Sequence, residues 1–229
     1  MSDLSSLLAS ILPYAIGAFF SPLILYTLLD TISPENRPRL SSFAYLFGSI
    51  LIFVILVLFG LYIGNTLFGT VAMPITIGAI IEIGLGAILL LIALKSLFIQ
   101  ENARSGGIIG FINSIRENND LSIFIKFFYF GFITTLASVT TAILFTVAGI
   151  IIGISSPGSA NSAIIIVILG FISLLTIEIP FIFYLLSPST AEDTLGRLRD
   201  WISAYGSYLT GLVYFILGLF FILRGFYSL

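Results

Sequence analysis

The chain has 229 residues, of which 59% are hydrophobic and only 9% charged, with a formal net charge of −2; soluble domains carry charge on about a quarter of their residues. It contains neither cysteine nor histidine, which excludes thiol and disulfide chemistry, thiolate or imidazole metal sites and catalytic imidazole. The composition is that of a membrane protein. Six predominantly apolar stretches reach the ~20 residues needed to cross a hydrocarbon core about 30 Å thick.

The stretches run approximately 6–29, 41–63, 74–98, 122–152, 162–186 and 201–225. The fold expected is an all-α integral membrane protein of six transmembrane helices in a single membrane domain, 1–229. It divides into a first three-helix half (1–100), a cytoplasmic amphipathic connection (101–121) and a second three-helix half (122–229). With an odd number of spans per half, the halves insert in opposite senses, which permits a 3+3 inverted repeat. Gly17 against Gly131, Gly48 against Gly170, and GLGAILLLIAL against GLVYFILGLFF are its support in the residues.

Eight of the nine basic residues, namely Arg37, Arg39, Lys95, Arg104, Arg116, Lys126, Arg197 and Arg199, lie on alternate connections or beside them; Arg224 alone lies at the other side. The positive-inside rule then places the basic connections in the cytoplasm and both termini outside the plasma membrane. The opening MSDLSS lacks a basic n-region, so the first span is expected to be retained.

Span 1 carries GAFFSP, with Gly17, Ser21 and Pro22. Proline deep in a helix removes a backbone hydrogen bond, and in lipid the freed carbonyl needs a neighbouring group or a water-lined cavity. A broken helix at a substrate site and a packed kink both meet that need. In span 3, Glu82 stands between Gly78 and Gly86 on one helix face. A carboxylate at the centre of a span costs roughly 2.5–3.5 kcal/mol, so Glu82 faces protein or water and is the candidate coupling-ion site, for a proton or a cation.

The connection SGGIIGFINSIRENND places Ile108, Phe111, Ile112 and Ile115 at helical spacing, the pattern of a short helix in the headgroup region. Packing against the inner ends of the spans explains it as well as a regulatory or lipid-sensing role does. Span 4 lines up Gly131, Thr135, Ser138, Ala142, Gly149 and Gly153, with Thr134, Thr140 and Thr141 nearby. Small residues let helices approach closely, but five hydroxyls within eight residues exceed what packing needs. The expected substrate-binding residues are therefore Ser21, Pro22, Thr134, Thr135 and Ser138.

Span 5 reads TIEIPFIFYLL at its end, with small and polar residues Gly170, Ser173, Thr176 and Pro180 on one stripe. Glu178 shares the other side with Phe171, Leu174, Ile182 and Leu185 and points away from the path. It lies about 12 Å of helix from the cytoplasmic end of its span, the side from which Lys126 enters, so a structural ion pair of Glu178 and Lys126 is expected. Thr190 and Asp193 have the spacing of a helix cap before Trp201. Span 6 repeats Gly211, Gly218 and Gly225 at a spacing of seven, read as tight packing.

The order LPYAIGAFFSP, then SSFAYLFG after an arginine-bearing loop, then TLGRLRDWISAYGSYLTGLVYFILGLFFILRG resembles the GAP family, the peptidoglycolipid- or sulfolipid-addressing proteins of the lysine exporter (LysE) superfamily. The resemblance implies two inverted three-helix halves and the export of small molecules or envelope lipids. Family members usually show an Asn-Pro step in span 4, seven residues beyond a glycine; here Gly131 is followed at that distance by Ser138 and Val139. The superfamily's thiol-transporting branch needs cysteines and its cation exchangers a Glu-x-Gly-Asp cluster, both lacking here.

The function expected is that of a secondary transporter, an exporter of a small neutral, zwitterionic or amphipathic, lipid-like substrate by alternating access. The alternative is a non-transporting scaffold or addressing component of an envelope-lipid assembly complex. Enzyme chemistry is not expected, since two isolated carboxylates on different helices make no acid and base pair. No metal or cofactor is called for. The expected partners are membrane lipids and the substrate, not nucleic acid, with a homo-oligomer left open.

Overall fold

The computed structural model describes residues 4–32, 37–68, 74–98, 120–155 and 158–228. The amphipathic connection, 108–117, lies outside the described residues. Eight α-helices account for nearly all of the rest: α1 (Leu4–Phe19), α2 (Pro22–Thr31), α3 (Pro38–Ile63), α4 (Pro74–Phe98), α5 (Asp120–Ala137), α6 (Val139–Ser155), α7 (Ser159–Leu186) and α8 (Pro188–Ser228). A wider π-type turn, Gly64–Phe68, extends α3. No strand occurs among the described residues.

Four helices are long and apolar enough to cross a membrane, and two bent pairs, α1 with α2 and α5 with α6, bring the number to six if each pair is one span. Both halves of the chain thus begin with a broken helix and continue with longer ones. The first break follows from Ser21-Pro22. A residue before proline is pushed out of the helical region, and Ser21 is extended at φ −113° and ψ 96°. Pro22 then opens α2, where its missing N–H is no loss. The two pieces meet at 52°.

The second break has no proline. It falls at Ser138, and α5 and α6 meet there at 78°. Backbone bonding persists on either side, Ser138 N–H donating to Thr134 O at 3.0 Å and Ala142 N–H to Ser138 O at 2.9 Å. The single apolar stretch 122–152 is thus a bent pair of helices rather than one straight helix. Pro180 does the reverse of what Pro22 does, remaining inside an unbroken α7.

The helix expected to carry Arg197 and Arg199 towards Trp201 is present, but it starts before Thr190. The helix begins at Pro188, Ala191 N–H donates to Ser187 O at 2.9 Å, and α8 continues for 41 residues through Trp201 into the last span. A single residue, Ser187, links α7 to α8.

Packing follows the small residues. Along α4 and α8 the glycines interlock: a Cβ on Gly86 would fall 2.6 Å from the Gly218 carbonyl oxygen, and one on Gly225 2.7 Å from that of Ala79. Gly48 and Gly131 bring α3 and α5 together, since a Cβ on Gly48 would collide with the Phe128 carbonyl oxygen and one on Gly131 with that of Tyr45. Gly149 and Gly153 do the same for α6 against α3. Close backbone approach of this kind replaces the hydrophobic drive that lipid does not supply.

Buried side chains fall into two clusters. One joins α1, α6, the second part of α3 and the first part of α7 with α4 and the end of α8, around Tyr14, Leu89, Phe145, Ile152 and Phe221. The other joins α2, α5, the first part of α3 and the last part of α7 with the start of α8, around Leu28, Tyr45, Phe127, Ile177 and Ile202. The boundary between them runs through the two breaks.

Gly48→Ala and Gly131→Ala are expected to destabilise the detergent-solubilised protein by about 1–3 kcal/mol through overpacking. Gly84→Ala has nothing within 4 Å of the added carbon and gains roughly 0.5–1 kcal/mol of helix propensity. Thermal unfolding of the three variants checks the contrast, which fails if Gly84→Ala is as damaging as the others.

Candidate functional site

Between the two apolar clusters lies a belt of buried hydroxyls. Ser21 at the first break and Ser138 at the second, both buried, meet with their Oγ atoms 2.9 Å apart. Ser138 Oγ also lies 2.8 Å from Thr141 Oγ1. The chain of three hydroxyls therefore joins the breaks of the two halves directly.

Tyr214 on α8 completes this junction. Its hydroxyl donates to the carbonyl oxygen of Phe20, at the break itself, at 3.2 Å, and stands beside Thr140. The carbonyl freed by the break thus receives a partner from the last span, as burial in hydrocarbon requires.

A second group sits on the α2, α3 and α5 side. Thr27 Oγ1 and Tyr45 Oη are 2.8 Å apart, and Tyr45 donates to Ile24 O at 3.2 Å. Thr135 donates to Ser49 Oγ at 3.0 Å, and Ser49 to Gly131 O at 3.3 Å. The hydroxyls of Thr134, Ser42 and Ser173 are fully buried and make no hydrogen bond among the described residues. Each such group is costly in an apolar interior.

Of the five residues expected to bind substrate, the structure joins Ser21 and Ser138. Pro22 adjoins them in the chain. Thr135 turns away to tie α5 to α3, and Thr134 lies buried without a bond near Tyr45. The glycines of the span-4 stripe serve contact with α3.

Glu82 occupies a different site. It is buried, with 4% of its surface exposed. Arg224 Nη2 lies 3.1 Å from its Oε1, and the Tyr14 hydroxyl donates to the same oxygen at 3.3 Å. Arg224 Nη1 donates to the Ser10 carbonyl at 2.8 Å. The carboxylate is therefore held by α1 and α8 together, at the end of the molecule where α1 begins and α8 ends. The ring of Tyr14 packs on Phe221 with centroids 4.7 Å apart.

Glu178 is partly exposed, on the same side of α7 as the exposed Phe171, Ile182 and Leu185. Leu174, expected with them, is buried. The stripe Gly170, Ser173, Thr176 and Pro180 is buried throughout. No salt bridge links Glu178 to Lys126 among the described residues; the buried Lys126 places its ammonium 5.3 Å from the Phe127 ring centroid. Nor is there a cluster of three or more acidic, histidine or cysteine side chains fit for a metal among the described residues.

The profile of the Sap, or sulfolipid-1-addressing protein, family matches residues 11–227, which takes in both breaks, Glu82 and Arg224. The chain belongs to that family. No curated protein and no solved structure matches it. Membership in the sulfolipid-1-addressing family makes this a membrane protein connected with the export or assembly of lipids.

In this Sap-family chain, sequence reasoning missed Tyr14, Tyr214 and Arg224 as site residues, and counted Thr141 among the span-4 hydroxyls without placing it at the junction. Arg224 carried a signal. The glycines pair α4 and α8 antiparallel, Gly86 with Gly218 and Ala79 with Gly225, and that register sets Glu82 opposite the turn that holds Arg224. Tyr14 and Tyr214 carried none, because aromatic residues are common throughout these spans.

Arg224→Met leaves the Glu82 carboxylate buried without its countercharge and is expected to cost about 3–5 kcal/mol. Glu82→Met/Arg224→Met, which removes both charges, is expected to recover most of that loss. Thermal unfolding in detergent checks this, and a double variant no more stable than Arg224→Met would sink the paired-charge account.

Proposed function

We propose that the chain is a secondary transporter, an exporter of a small neutral, zwitterionic or amphipathic, lipid-like substrate that works by alternating access. The observation that carries this reading is the meeting of the two broken helices through Ser21 and Ser138, 2.9 Å apart at the boundary of two apolar clusters. Broken helices near the bilayer midplane are where transporters built from inverted repeats hold their substrates. Packing also supports a 3+3 inverted repeat: the first broken helix lies on the second span of the other half, the second broken helix on α3, and α4 on α8.

The substrate site of this reading centres on Ser21, Pro22 and Ser138, with Thr141 in hydrogen-bond reach of Ser138 and Thr134 beside them; Thr135, tied to Ser49, holds α5 in place rather than facing the substrate. A substrate hydroxyl or amide inserted between Ser21 and Ser138 replaces their mutual bond without loss, and rotation about the break exposes Thr134. Hydroxyls select by hydrogen bonding and shape, which fits a substrate without a strong fixed charge. Glu82 is the coupling site: binding a proton or a cation there competes directly with Arg224 for the same oxygen. Both termini lie outside the plasma membrane, by the distribution of basic residues.

The family's description favours a second reading, a non-transporting component that addresses lipids to an assembly complex. Export distinguishes the two. In a deletion strain, the exported compound is expected to accumulate inside the cell, and the purified chain in vesicles is expected to move it. Ser21→Ala/Ser138→Ala is expected to slow that movement about tenfold, the worth of one or two hydrogen bonds. Envelope loss in the deletion strain combined with no movement by the purified chain would establish the addressing role instead. Glu82→Gln is expected to leave movement indifferent to an imposed proton or cation gradient; unchanged coupling in that variant removes Glu82 from the mechanism.

A further inference from the structure

The last helix touches the broken first span at three levels. Near one end Arg224 bonds the Ser10 carbonyl and, through Glu82, Tyr14. In the middle Tyr214 bonds the Phe20 carbonyl. Near the other end Arg199 Nη1 lies 3.6 Å from Asp30 Oδ1, at the close of α2. Arg199 and Arg224 are separated by about 37 Å of helix at 1.5 Å per residue, which exceeds the hydrocarbon thickness of roughly 30 Å. The two charged contacts therefore lie toward opposite faces of the membrane, with the break between them.

We propose that these contacts are two opposed latches, Arg224 with Glu82, Tyr14 and Ser10 closing one side of the Ser21–Ser138 junction, and Arg199 with Asp30 closing the other. Both are closed here, so the junction is shut off from both faces. Its three hydroxyls are buried. Since α1 and α2 are separate helices hinged at Phe20 and Ser21, either can leave α8 while the other stays, and the Tyr214 bond to the hinge carbonyl holds the pivot.

The latches differ in strength. The Glu82 side chain is 5% exposed and that of Arg224 25%, whereas Arg199 and Asp30 are 38% and 41% exposed. Water weakens an exposed ion pair and leaves a buried one strong. The Arg199 side, joined to α2, is thus the one that opens more readily, and the resting protein samples access from that face.

The purpose of the latches rests on the transporter reading, but their action can be measured without transport. The chain has no cysteine, so Ser21→Cys supplies a single thiol at the junction. It is labelled with a membrane-impermeant thiol reagent applied separately to each face of sealed vesicles. Arg224→Gln is expected to raise labelling from the terminus-bearing face roughly tenfold, a shift of one decade in the open population. Arg199→Gln or Asp30→Asn is expected to raise it from the opposite face alone. With neither change, labelling is expected to be faster from the Arg199 face.

Arg224→Lys, which keeps the charge, is expected to fall between wild type and Arg224→Gln, and thermal unfolding confirms that each variant remains folded. Equal increases from both faces would mean general loosening, and no increase from either would mean that the ion pairs do not close the path; both overturn the proposal. Face-specific labelling in a protein that moves no compound would leave the latches standing and remove the transporter reading.

Discussion

A backbone that stops being helical inside hydrocarbon must find partners for its freed groups within the protein, because lipid supplies none. This requirement organises the whole molecule. The extended Ser21 leaves the carbonyl of Phe20 outside the regular ladder, and Tyr214 from the last span reaches it. The Ser21 hydroxyl turns to Ser138 at the other break. Each discontinuity is satisfied from a distant part of the chain, so the two halves cannot separate without exposing polar groups. The tight glycine contact of α3 with α5 serves the same end, since close backbone approach there brings Ser49 within reach of Thr135 and the Gly131 carbonyl.

Division of the core into two clusters gives the breaks a mechanical meaning. A single continuous core would lock α1 to α2 and α5 to α6. Here α1 and α6 share one cluster and α2 and α5 the other, so the boundary between the clusters meets the broken spans at Ser21 and Ser138. The long helices α3, α7 and α8 cross the boundary and contribute to both clusters. They tie the clusters together, and α8 adds polar contacts to the first broken span near its two ends and in its middle.

Much of this was legible in the sequence, and the rest was hidden for physical reasons. The length and position of the spans follow from hydrocarbon thickness, which the apolar runs must match. The first break follows from the local chemistry of Ser21-Pro22. The second could not be read the same way: Ser138 is followed by Val139 rather than proline, the hydrogen bonds on both sides persist, and the bend depends on contacts with span 1. Proline is equally misleading in the other direction, as Pro180 sits within an intact α7. The glycines of spans 4 and 6 were legible as packing positions, but the partner of Glu82 required the register between two helices more than 100 residues apart. Arg224, counted among the topological charges, is in fact drawn inward to a carboxylate and a helix carbonyl.

The separation between the charged site and the hydroxyl site has its own logic. Fixed charge in a membrane interior is tolerated when paired, and Glu82 with Arg224 is locally neutral. Had either stood at the junction of the breaks, an ionic group would have had to find its partner among hydroxyls alone. Placing the pair toward the end of the bundle, joined to α1 through Tyr14 and Ser10, keeps the junction uncharged while leaving it connected to the ion pair through about two to three turns of α1.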